Sequence, residues 1–114
     1  MPRDDAVLLD MARAARLIIE FNQGIDSGAF LADAKTQSAT LHQLLVLGEA
    51  AKRLSASFCR QHPEMPWRLM AGMRDRLIHG YDAVDLDEVW SVVENDIPQL
   101  LCFIEPLLPQ SEAQ

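Results

Sequence analysis

Basic residues are scarce in this chain. Ten Lys and Arg stand against seventeen Asp and Glu, for a net charge of −7 at pH 7. Phosphate affinity comes largely from basic residues, so this balance argues against nucleic acid as a general partner. Cysteine is scarce too. Cys59 and Cys102 lie far apart and lack the CxxC spacing of redox and zinc motifs, which predicts two reduced thiols. His42, His62 and His79 share no metal-ligand spacing, so no metal site is expected. No apolar run approaches the ~18 residues that span a bilayer. Met1-Pro2-Arg3-Asp4-Asp5 has neither the basic start nor the apolar run of a signal peptide, and a cytoplasmic protein is expected. Strand-period alternation, internal repeats, glycine-rich phosphate loops and a GxSxG motif are all missing.

What is present has helical periodicity. Leu8, Met11, Ala12, Ala15, Ile18 and Ile19 form the apolar face of a first helix of about 18 residues, with Gly24 just beyond its end. A short helical piece is predicted over Ala29–Asp33. A long central helix is predicted from Lys35 to Ser57, its stripe running through Leu41, Leu44, Leu47, Gly48, Ala51, Leu54 and Phe58. Gly48 costs about 1 kcal/mol relative to Ala in a helix interior, which a close helix–helix approach would explain. Pro66 suits the start of the next helix, Trp67–His79, and Gly80 suits the position just past its end. Asp85 with Glu88 reads as a capping box for the last helix. That helix buries Leu86, Val89, Trp90, Val93 and Ile97, and a kink or restart is expected at Pro98. The expected fold is all-α, an up-and-down bundle of four or five helices. Residues 1–109 make one domain, and 110–114 a frayed polar tail.

One stretch concentrates chemistry. Met73-Arg74-Asp75-Arg76-Leu77-Ile78-His79-Gly80-Tyr81 closes a helix with Arg, His and Tyr within eight residues. Arg74 and His79 are about 140° apart on an ideal helix. They converge only if the last turn loosens or a second chain brings its own copy. Spacing alone favours structural roles: His79 as a cation at a helix C-terminus, Arg74 in a surface ion pair, Tyr81 as a half-buried anchor. Glu49 either supports this stretch or pairs with Arg53 four residues on, and the pair is the favoured reading. Arg68 and Arg76 suit RNA contact or an ordinary surface equally. Trp67 and Trp90 read as core or interface anchors. The acids Asp82, Asp85, Asp87 and Glu88 read as a solvated loop and helix start, since they lack the spacing of a calcium loop.

Arg74-x4-His79-x-Tyr81 resembles the RxxxxHxY motif of HEPN-domain proteins, specifically the HepT toxins. Gly48-Glu49-Ala50-Ala51-Lys52-Arg53-Leu54 resembles that family's central helix. Val84-Asp85-Leu86-Asp87-Glu88-Val89-Trp90 with Asn95-Asp96-Ile97-Pro98 resembles its last helix. The resemblance runs from about residue 5 to 108. It implies a helical homodimer that brings two motifs into one cleft, and metal-independent RNA cleavage by Arg74 and His79. It also implies a toxin–antitoxin pair, in which a MntA-type nucleotidyltransferase adds AMP to Tyr81 and blocks the toxin. Asp75 stands where the family often has Asn, and its carboxylate is expected to pair with a nearby Arg. Asp75, Arg76 and Glu49 are the candidate supporting residues. The alternative is an inactive binding module that serves only as the nucleotidyltransferase's partner and substrate.

The charge distribution fits a local site. Residues 52–76 carry six basic residues against two acids, whereas residues 77–114 carry eight acids and no Lys or Arg. Broad coating of nucleic acid is disfavoured, and a narrow cationic cleft with acidic flanks is not.

Overall fold

The computed structural model describes residues 2–65, 67–80 and 84–109, with only the backbone of Pro2, Arg68 and Leu69. Pro66 and the tail 110–114 lie outside the described residues. The first helix, α1 (Pro2–Phe21), buries Leu8, Met11, Ala12, Ala15 and Ile18 along one face, as its periodicity predicts. Gly24 follows with φ +78°, a conformation that glycine adopts without a Cβ penalty.

The next helix, α2 (Ser27–Leu31), starts two residues before the predicted Ala29 and ends short of Asp33. Side-chain caps set both limits. Asp26 accepts the Ala29 N–H at 2.9 Å, and Asp33 is itself the cap of the following helix, accepting the Thr36 N–H at 3.2 Å.

The central helix α3 (Ala34–Lys52) ends five residues earlier than expected, and a separate helix α4 (Ala56–Gln61) follows. Ser55 makes this break. Its hydroxyl accepts the Phe58 N–H at 3.0 Å and starts α4. Asp4, from the first turn of α1, accepts the Ser55 N–H at 2.9 Å and the Ser55 hydroxyl at 2.8 Å. A capping box usually supplies this second partner from its own first turn; here another helix supplies it.

The Ser55 N–H, and then the Ser55 hydroxyl, hold the buried Asp4 carboxyl below the usual aspartate range. A depressed folded-state value contributes stability above the unfolded value of about 3.9, and that stability is lost as pH falls through the folded value. Asp4→Ala is therefore expected to cost about 1–3 kcal/mol at pH 7. Urea unfolding at pH 7 and near pH 2 checks this, because the gap between variant and wild type must narrow in acid.

Helix α5 (Trp67–His79) matches its predicted span, and Gly80 stands at φ +145° beyond it. Helix α6 (Leu86–Ser91) is capped by Asp85, which accepts the Asp87 N–H at 2.9 Å. The predicted capping box is only half formed, because Glu88 pairs with Arg76 at 2.6 Å instead of reaching back to Asp85.

The expected interruption near Pro98 is a π-helical turn (Val92–Asp96) leading into α7 (Ile97–Ile104). Pro98 has no N–H to offer the Glu94 carbonyl, and its ring would press on it in a regular helix. In the widened turn the Ile97 N–H bonds Val92 O instead. A 3₁₀ turn (Glu105–Leu107) ends the described helices.

Helix α1 packs along α3 and α7, and α5 packs on α3. The short α2 sits against α3 and α6 through Phe30, which is fully buried and 5.4 Å from the Trp90 ring. The result is a bundle of four rods, α1, α3, α5 and the composite α6–α7, with α2 and α4 in the connections. No strand occurs among the described residues, and none of their helices is long and apolar enough to cross a membrane.

Candidate active site

The Arg74–His79 part of the RxxxxHxY stretch lies on the last two turns of α5. Met73 and Leu77, four residues apart, point into the core and fix the helix's rotation. That rotation sets Arg74 against α3 and leaves Asp75, Arg76, Ile78 and His79 exposed. The backbone bond from Gly80 N–H to Arg76 O, at 3.3 Å, keeps the last turn regular. It does not loosen, so Arg74 and His79 remain about 140° apart around one helix. Tyr81 and Asp82 lie outside the described residues, as does the Arg68 side chain.

Arg74 is held from two sides. Its Nε donates to Glu49 Oε1 at 2.7 Å and its Nη1 to Asp75 Oδ1 at 2.8 Å. The side chain is 19% exposed. The Glu49 hydrogen bond, with a further push from Asp75, raises the guanidinium above its ordinary pKa, so it stays charged.

Gly48 makes this seat. A Cβ built on it would stand 2.5 Å from Arg74 Cβ and 3.3 Å from the Met70 carbonyl oxygen. The close approach expected at Gly48 is therefore real, and its partner is the stem of Arg74. Asp75 pairs with an arginine as its charge suggested.

The expected Glu49–Arg53 pair does not form. Helix α3 ends at Lys52, so Arg53 falls in the turn and loses the i, i+4 register. It reaches Asp10 on α1 at 2.9 Å, which leaves Glu49 for Arg74. The sequence singled out Glu49 and missed its partner, because that contact is 25 residues away along the chain.

Arg76 is tied to Glu88 at 2.6 Å, which braces α5 against the start of α6. Trp67 is an anchor: its Nε1 donates to His62 O at 2.9 Å and its ring stands edge-on to Phe58 at 6.1 Å. His62 belongs to that packing too, 4.5 Å from the Phe58 ring and 5.3 Å from Phe103. No three His, Cys, Asp or Glu side chains among the described residues could share a metal ion.

Beneath Gly48, between α3, α5 and the π-helical turn, about 40 Å³ of space is lined by Leu44, Leu47, Met73 and Ile97 among others. Small-molecule pockets run to about 300–1,000 Å³. This space is too small to hold a small-molecule substrate.

Residues 11–107 match the family described as ribonuclease HepT-like. A Thermococcus cleftensis protein named "Probable ribonuclease HepT" is 50% identical over 93 residues, 82% of this chain and 84% of that one. A Methanocaldococcus jannaschii protein named as an RNase is 36% identical over 116 residues, 100% of this chain and 96% of that one. A further relative named as an RNase, from Caldanaerobacter subterraneus, is 34% identical over 95 residues, 83% and 85% of the two chains. No solved structure matches. With its motif helix seated on the central helix and a match spanning most of its length, the chain belongs to the HepT-like ribonuclease family.

Proposed function

We propose that two copies of this chain form one cleft that cuts RNA without a metal ion, using Arg74 to hold the phosphate and His79 to move protons. The observation that carries this reading is the regular last turn of α5. It keeps Arg74 and His79 on different sides of one helix, so a second copy is needed to bring the two kinds of group together. RNA supplies its own nucleophile in the 2′-OH. One His79 takes the 2′ proton while the oxygen attacks phosphorus, and the partner's His79 protonates the departing 5′ oxygen. Arg74 stabilises the added negative charge on the phosphoryl oxygens. The products are a 2′,3′-cyclic phosphate and a 5′-OH.

The chain acts in this reading as the toxin of a toxin–antitoxin pair in the cytoplasm. A MntA-type nucleotidyltransferase silences it by placing AMP on Tyr81, two residues from His79. The added phosphate and bulk oppose RNA by charge repulsion and occlusion.

The test is cleavage of end-labelled RNA by purified protein with EDTA present, together with its mass in solution. Fragments ending in 2′,3′-cyclic phosphate, made by a dimer, are the expected result. Other ends, or dependence on added metal, would replace this mechanism. On the same protein, ATP and the nucleotidyltransferase are expected to add AMP to wild type and not to Tyr81→Phe, read by mass spectrometry. The double engagement of Arg74 by Glu49 and Asp75 favours one other reading, an inactive module that is only the nucleotidyltransferase's partner. AMP addition without any RNA cleavage identifies that case.

A further inference from the structure

We propose that Glu49 is the positioning residue of the cleft, fixing the Arg74 guanidinium so that its unpartnered Nη2 group is the one offered to phosphate. This rests on the reading of Arg74 as the phosphate-holding group.

A guanidinium carries five N–H groups in one rigid plane. Glu49 occupies the Nε–H at 2.7 Å, and Asp75 occupies one N–H of Nη1 at 2.8 Å. Three N–H groups remain, one on Nη1 and two on Nη2. The Nε–Nη2 edge has lost its Nε donor. Nη2 keeps both of its N–H groups, and with the remaining one on Nη1 these are the donors left for phosphate oxygens.

The two carboxylates are not equivalent. Asp75 is the next residue on the same helix and travels with Arg74. Glu49 belongs to α3 and ties the tip of the side chain to a second helix. Its neighbour Gly48 meets the stem of the same side chain at Arg74 Cβ and Cγ. Consecutive residues of α3 therefore fix both ends of Arg74, before any substrate arrives. Removing that freedom in advance lowers the entropic cost of reaching the transition state.

The arrangement has an opposite effect on binding. One guanidinium beside two carboxylates leaves a local charge of −1, which repels phosphate in the ground state. Glu49 therefore raises kcat and raises KM together, a pattern that a purely structural ion pair does not produce.

Glu49→Ala is expected to lower kcat about tenfold or more, with KM unchanged or lower. Glu49→Gln keeps an oxygen for the Nε–H and is expected to recover most of kcat while keeping the lower KM. A wild-type kcat in Glu49→Ala, or no better rate in Glu49→Gln, overturns the proposal. A second readout does not depend on cleavage. The Arg74 Nε–Hε signal, assigned by its loss in Arg74→Lys, is expected to exchange slowly with water in wild type and Glu49→Gln, and rapidly in Glu49→Ala. An unchanged signal in Glu49→Ala overturns the positioning role. The expected signal changes in a protein that cuts no RNA overturn the ribonuclease reading and leave the positioning of Arg74 standing.

Discussion

His79→Ala is expected to slow RNA cleavage by about 10²–10⁴-fold, the usual weight of a general acid or base. Arg74→Ala is expected to cost about 10²–10³-fold, as loss of one transition-state charge contact does. Neither change threatens the core, because His79 is exposed at the end of α5 and the buried neighbours Met73 and Leu77 are untouched. Circular dichroism and thermal unfolding should stay near wild type while initial rates collapse. Mixing wild type with His79→Ala under conditions that exchange subunits sharpens the test. A mixed dimer carries a single His79, which cannot be base and acid at once, so equal amounts should lose more activity than simple dilution of the wild type explains. A loss that matches dilution alone would mean that one His79 is enough.

Gly48→Ala is expected to cut the rate about 100-fold in a protein that still folds. The new Cβ would meet Arg74 Cβ at 2.5 Å, Arg74 Cγ at 3.2 Å and the Met70 carbonyl at 3.3 Å. None of these is the loose end of a side chain, so α5 itself must retreat from α3. Overpacking of this kind costs about 1–3 kcal/mol, and the helix recovers about 1 kcal/mol when Gly becomes Ala. Stability therefore falls only modestly. Arg74 loses its seat, however, and a misplacement near 1 Å is enough for a loss of about 10²-fold. Rates measured beside melting curves separate the two effects. Wild-type rates in a destabilised protein would show that the spacing of α3 and α5 serves packing alone.

The sequence made the helices legible wherever their signals were local. The span of α5 and the positive φ of Gly80 come from residues within one or two turns of each other. So does the interruption before Pro98. Gly48 was legible as a close approach because its conformational cost needed a reason. The failures share a cause, which is competition from distant residues. Ser55 ended the predicted long helix because Asp4, 51 residues earlier, was there to accept its N–H. That early end displaced Arg53 from the register in which Glu49 would have met it. Glu88 was expected to close a capping box and went to Arg76 instead. Arg74 and His79, the pair proposed to act on RNA, were legible as a motif. How Arg74 is held depends on where α3 stops, which no spacing rule encodes.

The π-helical turn of residues 92–96 also corrects phase. From Val89 to Val93 to Ile97 the apolar positions advance in two successive four-residue steps, which drift about 80° around an ideal α-helix. Yet all three are buried. A turn with an extra residue in it unwinds the rod and absorbs that drift, so Ile97, Leu100 and Ile104 arrive still facing the bundle. Proline is what makes the regular alternative costly at this point. One rod can thus press α6 against α2 at one end and α7 against α1 at the other. Its slowest-turning segment lines the space under Gly48, on which Arg74 rests.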